Sequence, residues 1–161
     1  MGLSRLDNFL KSARGTILYV NPNDLDATDS VENQGNSLTR PFKTIQRALI
    51  ESARFSYQKG LENDRFAKTT ILIYPGDHVI DNRPGYIPIG TNQYRLRNGS
   101  TTNNLPPFDL TSNFDLSTSD NELYKLNSVH GGVIVPRGTS LVGLDLRKTK
   151  IRPKYVPNPT N

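Results

Sequence analysis

Asp24, Asp26 and Asp29 form the densest carboxylate group in the chain. A calcium loop of the EF-hand kind needs glycine at its sixth position and glutamate at its twelfth. Counted from Asp24, those positions hold Asp29 and Gly35, so these aspartates read as turn formers. Cysteine is absent and His78 and His130 are the only histidines, which leaves a zinc site to two distant imidazoles and carboxylates. Both read as surface or half-buried side chains. Glycoside cleavage takes two carboxyl groups at a fixed separation, and Asp77, Asp81 and Asp145 are the candidates beside strand-like segments. Nothing in their spacing sets that separation. Neither a glycine-rich phosphate loop nor a nucleophile elbow occurs. No catalytic, cofactor-binding or metal residue is assigned, and the expectation is a protein that binds rather than turns over.

Aromatic and basic residues carry what binding chemistry there is. Tyr74, Tyr86, Tyr94, Phe108 and Phe114 are able to stack on sugars or fill a partner's pocket, against the plainer role of core packing. Phe108 and Phe114 sit in the most polar surroundings and are the stronger partner-binding candidates. Net charge is +5, scattered except for Arg147-Lys148-Thr149-Lys150 and Arg152. Beside strand-like residues that cluster reads as a charged edge kept from aggregating, with a phosphate or glycan contact as the alternative. Basic residues are not interleaved with aromatics in the manner of a nucleic-acid module, so no nucleic acid is expected. No apolar run approaches the roughly 18 residues of a membrane span, and Met1 to Asp7 lacks a signal peptide's pattern, so no membrane is expected either.

The elements that would position these residues follow from periodicity. Leu3, Leu6, Phe9 and Leu10 make an apolar stripe over residues 3 to 12, a short helix that must pack on something to persist. These four are the other partner-binding candidates. Thr16 to Val20 is a strand closed by Asn21-Pro22-Asn23-Asp24, and a polar loop runs to Pro41. Ile45, Ala48, Leu49 and Ala53 share one helical face, with Arg47, Glu51 and Arg54 opposite, and the spacing predicts a helix over 42–59. Thr69 to Tyr74 is the most strand-like stretch, turned by Pro75-Gly76 into a second short strand, Asp77 to Ile80. Residues 81–130 lose periodicity and read as a long loop insertion, a candidate interaction surface. Short strands return at Gly132 to Val135, Thr139 to Leu144 and Lys150 to Pro153, and the prolines at 153, 157 and 159 suggest an extended exit. Only 34% of residues are hydrophobic and mean hydropathy is −0.56. That falls below the roughly 45–50% apolar content of ordinary globular domains, so part of the chain must lie outside a core.

The first strand, the segment Thr39-Arg40-Pro41-Phe42-Lys43-Thr44-Ile45-Gln46-Arg47-Ala48-Leu49, and Ile71-Leu72-Ile73-Tyr74-Pro75-Gly76 together resemble the start of pectate-lyase-like right-handed β-helices. Val133 to Gly143 is similar to the rung that follows in that family. The resemblance covers about 16–152 and implies a mostly β fold: a right-handed parallel β-helix start with an N-terminal capping α-helix and a long insertion. Ile45, Ala48, Leu49 and Ala53 would be the core of that cap. The family's catalytic groups come from later coils, so none is placed here.

Over its length the chain also resembles the N-terminal part of virion structural proteins of T4-like cyanophages, of tail-fibre or neck-associated type. The likeness includes Leu3 to Lys11, Gln34 to Pro41 and Gly143 to Pro153. It implies a virion location, a homotrimer, contacts with neck, baseplate or fibre proteins and a possible host-surface glycan. Three parts are expected: an anchor helix at 1–15, a capped β-helix start at 16–152 with its 81–130 insertion, and a linker at 153–161. The alternative is the head-binding adapter of a polysaccharide depolymerase, lyase or glycoside hydrolase, with catalytic coils beyond Asn161.

Overall fold

The computed structural model describes residues 15–30, 32–56, 68–96, 99–103, 127–128 and 130–156. The expected 3–12 helix lies outside them, as do Leu3, Leu6, Phe9, Leu10, Phe108 and Phe114.

Thr16–Val20 (β1), Thr69–Ile73 (β2) and Thr139–Gly143 (β7) form a parallel three-stranded sheet in the order β1-β2-β7. All five residues of β2 are buried, as the central strand of a parallel sheet requires. Register places Leu18, Ile71 and Leu141 side by side, then Val20, Ile73 and Gly143. Side chains alternate along a strand, so these partners share one face, and it is the face that meets the helix. Gly76–Ile80 (β3) and Thr149–Pro153 (β8) form a second parallel pair. The chain thus makes the same strand–turn–strand shape twice, β2 to β3 and β7 to β8, and lays the second on the first in register. The fold among the described residues is mostly β, with short parallel sheets and one short helix.

That helix, Ile45–Ser56 (α1), begins three residues later than the sequence predicts. Phe42 makes a parallel bridge to Val20 instead. The Thr44 hydroxyl accepts the Arg47 N–H at 3.2 Å, the bond of an N-cap residue. Asp29 supplies the rest of the cap: its carboxylate accepts the backbone N–H of Lys43 and Thr44 and the Thr44 hydroxyl at 2.8–3.1 Å. Burial raises the Asp29 carboxyl above its ordinary range, and the bonds from Thr44 and Lys43 oppose that rise.

Ile45, Ala48, Leu49 and Ala53 are each at most 2% exposed and pack with Leu18, Val20, Phe42, Ile50, Ile71 and Ile73. The helix touches β1, β2, β3 and β7, so it lies across the inner face of the sheet. Its opposite face is not in water, which corrects the amphipathic expectation for Arg47 and Glu51. Arg47 is fully buried and Glu51 is 6% exposed. The 24–41 loop folds over them. Arg47 donates to Glu51 at 2.9 Å and to the Asn33 carbonyl at 3.1 Å, and its guanidinium lies 4.6 Å over the Phe42 ring. Asn33 ties the loop down by donating to the carbonyls of Thr28 and Pro41 and accepting from the Gly35 N–H.

Two further expectations are corrected. The first part of the expected 81–130 insertion is not structureless: Tyr86–Gly90 (β4), Gln93–Leu96 (β5) and Thr101–Thr102 (β6) form an antiparallel meander. Four of the five β4 residues are exposed, so no apolar alternation marks the strand. Conversely, the strand expected at 132–135 reduces to one bridge between Val133 and Asn127. Gly131 and Gly132 both hold φ near +90°, which bends the chain there.

Candidate docking edge

The two edges of the β1-β2-β7 sheet end differently. Beyond the C-terminal half of β1 the backbone is satisfied: Tyr19 N–H donates to the Gly35 carbonyl, Phe42 N–H to the Tyr19 carbonyl and Asn21 N–H to the Phe42 carbonyl, at 2.8–2.9 Å. Gly35 is required at that approach. It holds φ +63°, and a Cβ there would stand 2.1 Å from the Phe42 ring.

Beyond β7 and β8 no strand pairs among the described residues. Thr69 N–H bonds the Gly138 carbonyl and Leu144 N–H bonds the Ile73 carbonyl, so the even-numbered residues of β7 face β2. Gly76 N–H bonds the Lys148 carbonyl and Lys154 N–H bonds the Ile80 carbonyl, which fixes the same parity for β8. By alternation, Leu141, Gly143, Thr149, Ile151 and Pro153 aim their backbone groups outward. Pro153 fits such an edge, because its missing N–H would face away from the ladder.

The inner side chains at this end are also uncovered. Leu141, Ile151 and Val135 are 38, 48 and 47% exposed. They join Val133, Ile80, Ile45 and Leu49 around an open pocket of about 280 Å³. On the outer face, Arg147, Lys148, Lys150, Arg152 and Lys154 are exposed, and residues 146–156 hold no acidic side chain. Arg152 reaches diagonally across the pair to Asp77, with Nε 2.8 Å from both carboxylate oxygens. That guanidinium holds the Asp77 carboxyl below its ordinary range.

The residues singled out for chemistry do not converge. Asp24 accepts the Asp26 N–H in a local turn, and Asp29 caps α1. Asp81 pairs with Arg83, and Asp145 accepts the N–H groups of Arg147 and Lys148. His78 is buried with its Nε2 2.8 Å from the Tyr74 carbonyl, and His130 is exposed. Tyr86 and Tyr94 meet edge to face at 5.7 Å, and burial raises the Tyr86 hydroxyl's pKa. Among the described residues no three His, Asp or Glu side chains gather to hold a metal, and no helix is long and apolar enough to cross a membrane.

Sequence reasoning missed the clamp beside this edge. Asn127 is fully buried and donates to the carbonyls of Asp81 and Arg83. Asn82 exchanges two hydrogen bonds with the Tyr155 backbone, at 2.8 and 2.9 Å, and so lengthens the β3–β8 pairing with a side chain. Arg83 stacks 4.5 Å from the Tyr155 ring. An isolated asparagine in polar sequence carries no signal for such a role.

Comparison of the chain with protein-family models, curated proteins and solved structures finds no match.

Proposed function

We propose that this chain is an attachment segment of a virion structural protein, a tail fibre, tailspike, neck or baseplate component. In this reading its two strand–turn–strand units begin a right-handed parallel β-helix. The observation that carries it is the asymmetry of the stack: Gly35 and Phe42 seal the C-terminal half of one edge, and among the described residues the other edge pairs with no strand and exposes apolar side chains. A sheet edge left unpaired is a template for joining another polypeptide, and sealing the opposite edge confines joining to one direction. In-register backbone pairing along the stack makes a stiff connector, which suits a mechanical part.

The resemblance in sequence to cyanophage virion proteins supplies the assembly. Residues 1–15 anchor the chain, three copies associate, and neighbouring virion proteins and possible host-surface glycans are its partners. The work is binding.

Immunogold electron microscopy of purified particles tests this, with an antibody raised against residues 98–121. Label at one fixed place on the neck, baseplate or fibres is the expected result. Unlabelled particles, with antigen confined to the surrounding lysate, would refute a virion role.

A further inference from the structure

The open edge is chemically selective. Along β8, Ile151 and Pro153 turn their side chains to the pocket while Lys150 and Arg152 turn theirs outward beside Asp77 and Val79. A strand laid beside β8 therefore meets apolar surface with every second residue and cations with the others. The outward backbone groups are the Ile151 N–H and the carbonyls of Thr149, Ile151 and Pro153, because the Thr149 N–H is already bound to the Asp145 carbonyl at 2.9 Å.

We propose that this edge takes an extended strand of alternating acidic and apolar residues supplied by a different polypeptide. It deepens the proposed attachment role by naming the chemistry of the partner. Charge decides between a second copy and a strand from a different polypeptide. A second copy joining through its own open edge would bring Arg147, Lys148, Lys150, Arg152 and Lys154 against the same five residues, and like charges facing across strands repel. The copy's β1 edge is already bonded to its own loop at Tyr19 and Asn21. An acidic strand meets the opposite situation: its carboxylates lie near Lys150 and Arg152, and its apolar residues fill the space between Leu141, Ile151 and Val135. Arg152 is bonded to Asp77 through both Nε and Nη2, so Lys150, which only faces Asp77 in register, is the freer determinant of charge preference.

The test uses purified residues 1–161 and a fluorescein-labelled nine-residue peptide of alternating glutamate and valine, read by anisotropy. A second peptide has lysine in place of glutamate. The expected result is saturable binding of the acidic peptide, at least tenfold weaker for the lysine peptide and at least fivefold weaker for Lys150→Glu. Raising salt from 0.05 to about 0.5 M weakens it further, because the attraction is exposed to screening. Amide shifts at Leu141 and Ile151 should accompany it, and Lys150→Glu should still melt cooperatively, a few degrees below the parent because its new carboxylate faces Asp77. Equal binding of both peptides, or of the acidic peptide by Lys150→Glu, overturns the proposal. So does a dimer in sedimentation whose amide shifts fall on β7 and β8, since a second copy is then the occupant. Loss of virion labelling with peptide binding intact would remove the attachment role and leave the edge chemistry standing.

Discussion

Truncating Glu51 to alanine should be among the most destabilising changes in the molecule, although it removes what looks in sequence like a surface charge. Arg47 is fully buried, and its Nε has no hydrogen-bond partner. Its charge is held by the Glu51 carboxylate at 2.9 Å, the Asn33 carbonyl at 3.1 Å and the Phe42 ring at 4.6 Å. Breaking a buried pair by deleting one partner leaves an uncompensated charge and costs about 3–5 kcal/mol. Set against a typical domain stability of roughly 5–15 kcal/mol, that is a large fraction. With a urea slope of about 1.5 kcal/mol per molar, the unfolding midpoint should fall by about 2 M or more. The pair itself need not be net stabilising, because desolvation opposes the attraction. The double variant Arg47→Met with Glu51→Leu removes both charges and the orphaned Nε together, and should lie within about 1–2 kcal/mol of the parent. Circular dichroism during urea titration reads all of these. A Glu51→Ala midpoint within about 0.3 M of the parent would refute the buried-charge account. Additive single and double variants would refute the coupling.

Gly35→Ala should cost about 3–5 kcal/mol, summing a left-handed backbone penalty and overlap with the Phe42 ring. Gly99→Ala, which also holds positive φ but meets nothing within 4 Å, should cost only about 1–2 kcal/mol, and comparing the two melts separates packing from backbone. Asn127→Ala should destabilise by about 2 kcal/mol in urea titration by orphaning the Asp81 and Arg83 carbonyls, and Asn127→Asp by more, because a carboxylate would face them without a donor. Asp77 is lowered in the folded state, so its contribution is present above the ordinary aspartate pKa and is lost as pH falls through the lowered value. Asp29 is raised, so its contribution has the opposite sign: present below the ordinary value and lost as pH rises through the raised one. Melts of the parent, Asp77→Asn and Asp29→Asn across that range should show the two acid-limb slopes changing in opposite directions. The Asp77 part should shrink in 1 M salt because the pair with Arg152 is exposed.

Much of the core was legible. The β-branched run at 69–73 and the three-four spacing of Ile45, Ala48, Leu49 and Ala53 mark residues that the structure buries. Those are local periodicities, and a buried strand or an apolar helical stripe writes itself into composition. The meander of β4, β5 and β6 left no such mark, because a strand like β4, with four of five residues exposed, gains from hydrogen bonding that any residue supplies. The burial of Arg47 was hidden for another reason. Helical spacing tells which residues share a face but not whether a distant loop covers it, and here residues 24–41 do.

The candidate edge divides in the same way. Sequence by itself determined that 147–153 is a basic, strand-like segment ending in proline, since charge and chain stiffness belong to residues. Only the tertiary structure decided that among the described residues this segment is an outer strand, that its odd-numbered residues aim their backbone away from β3, and that Leu141 and Ile151 are exposed beside Ile45 and Leu49. Pairing partners and register are set by contacts between residues about 70 apart in the chain, and no local pattern encodes which edge such contacts leave open.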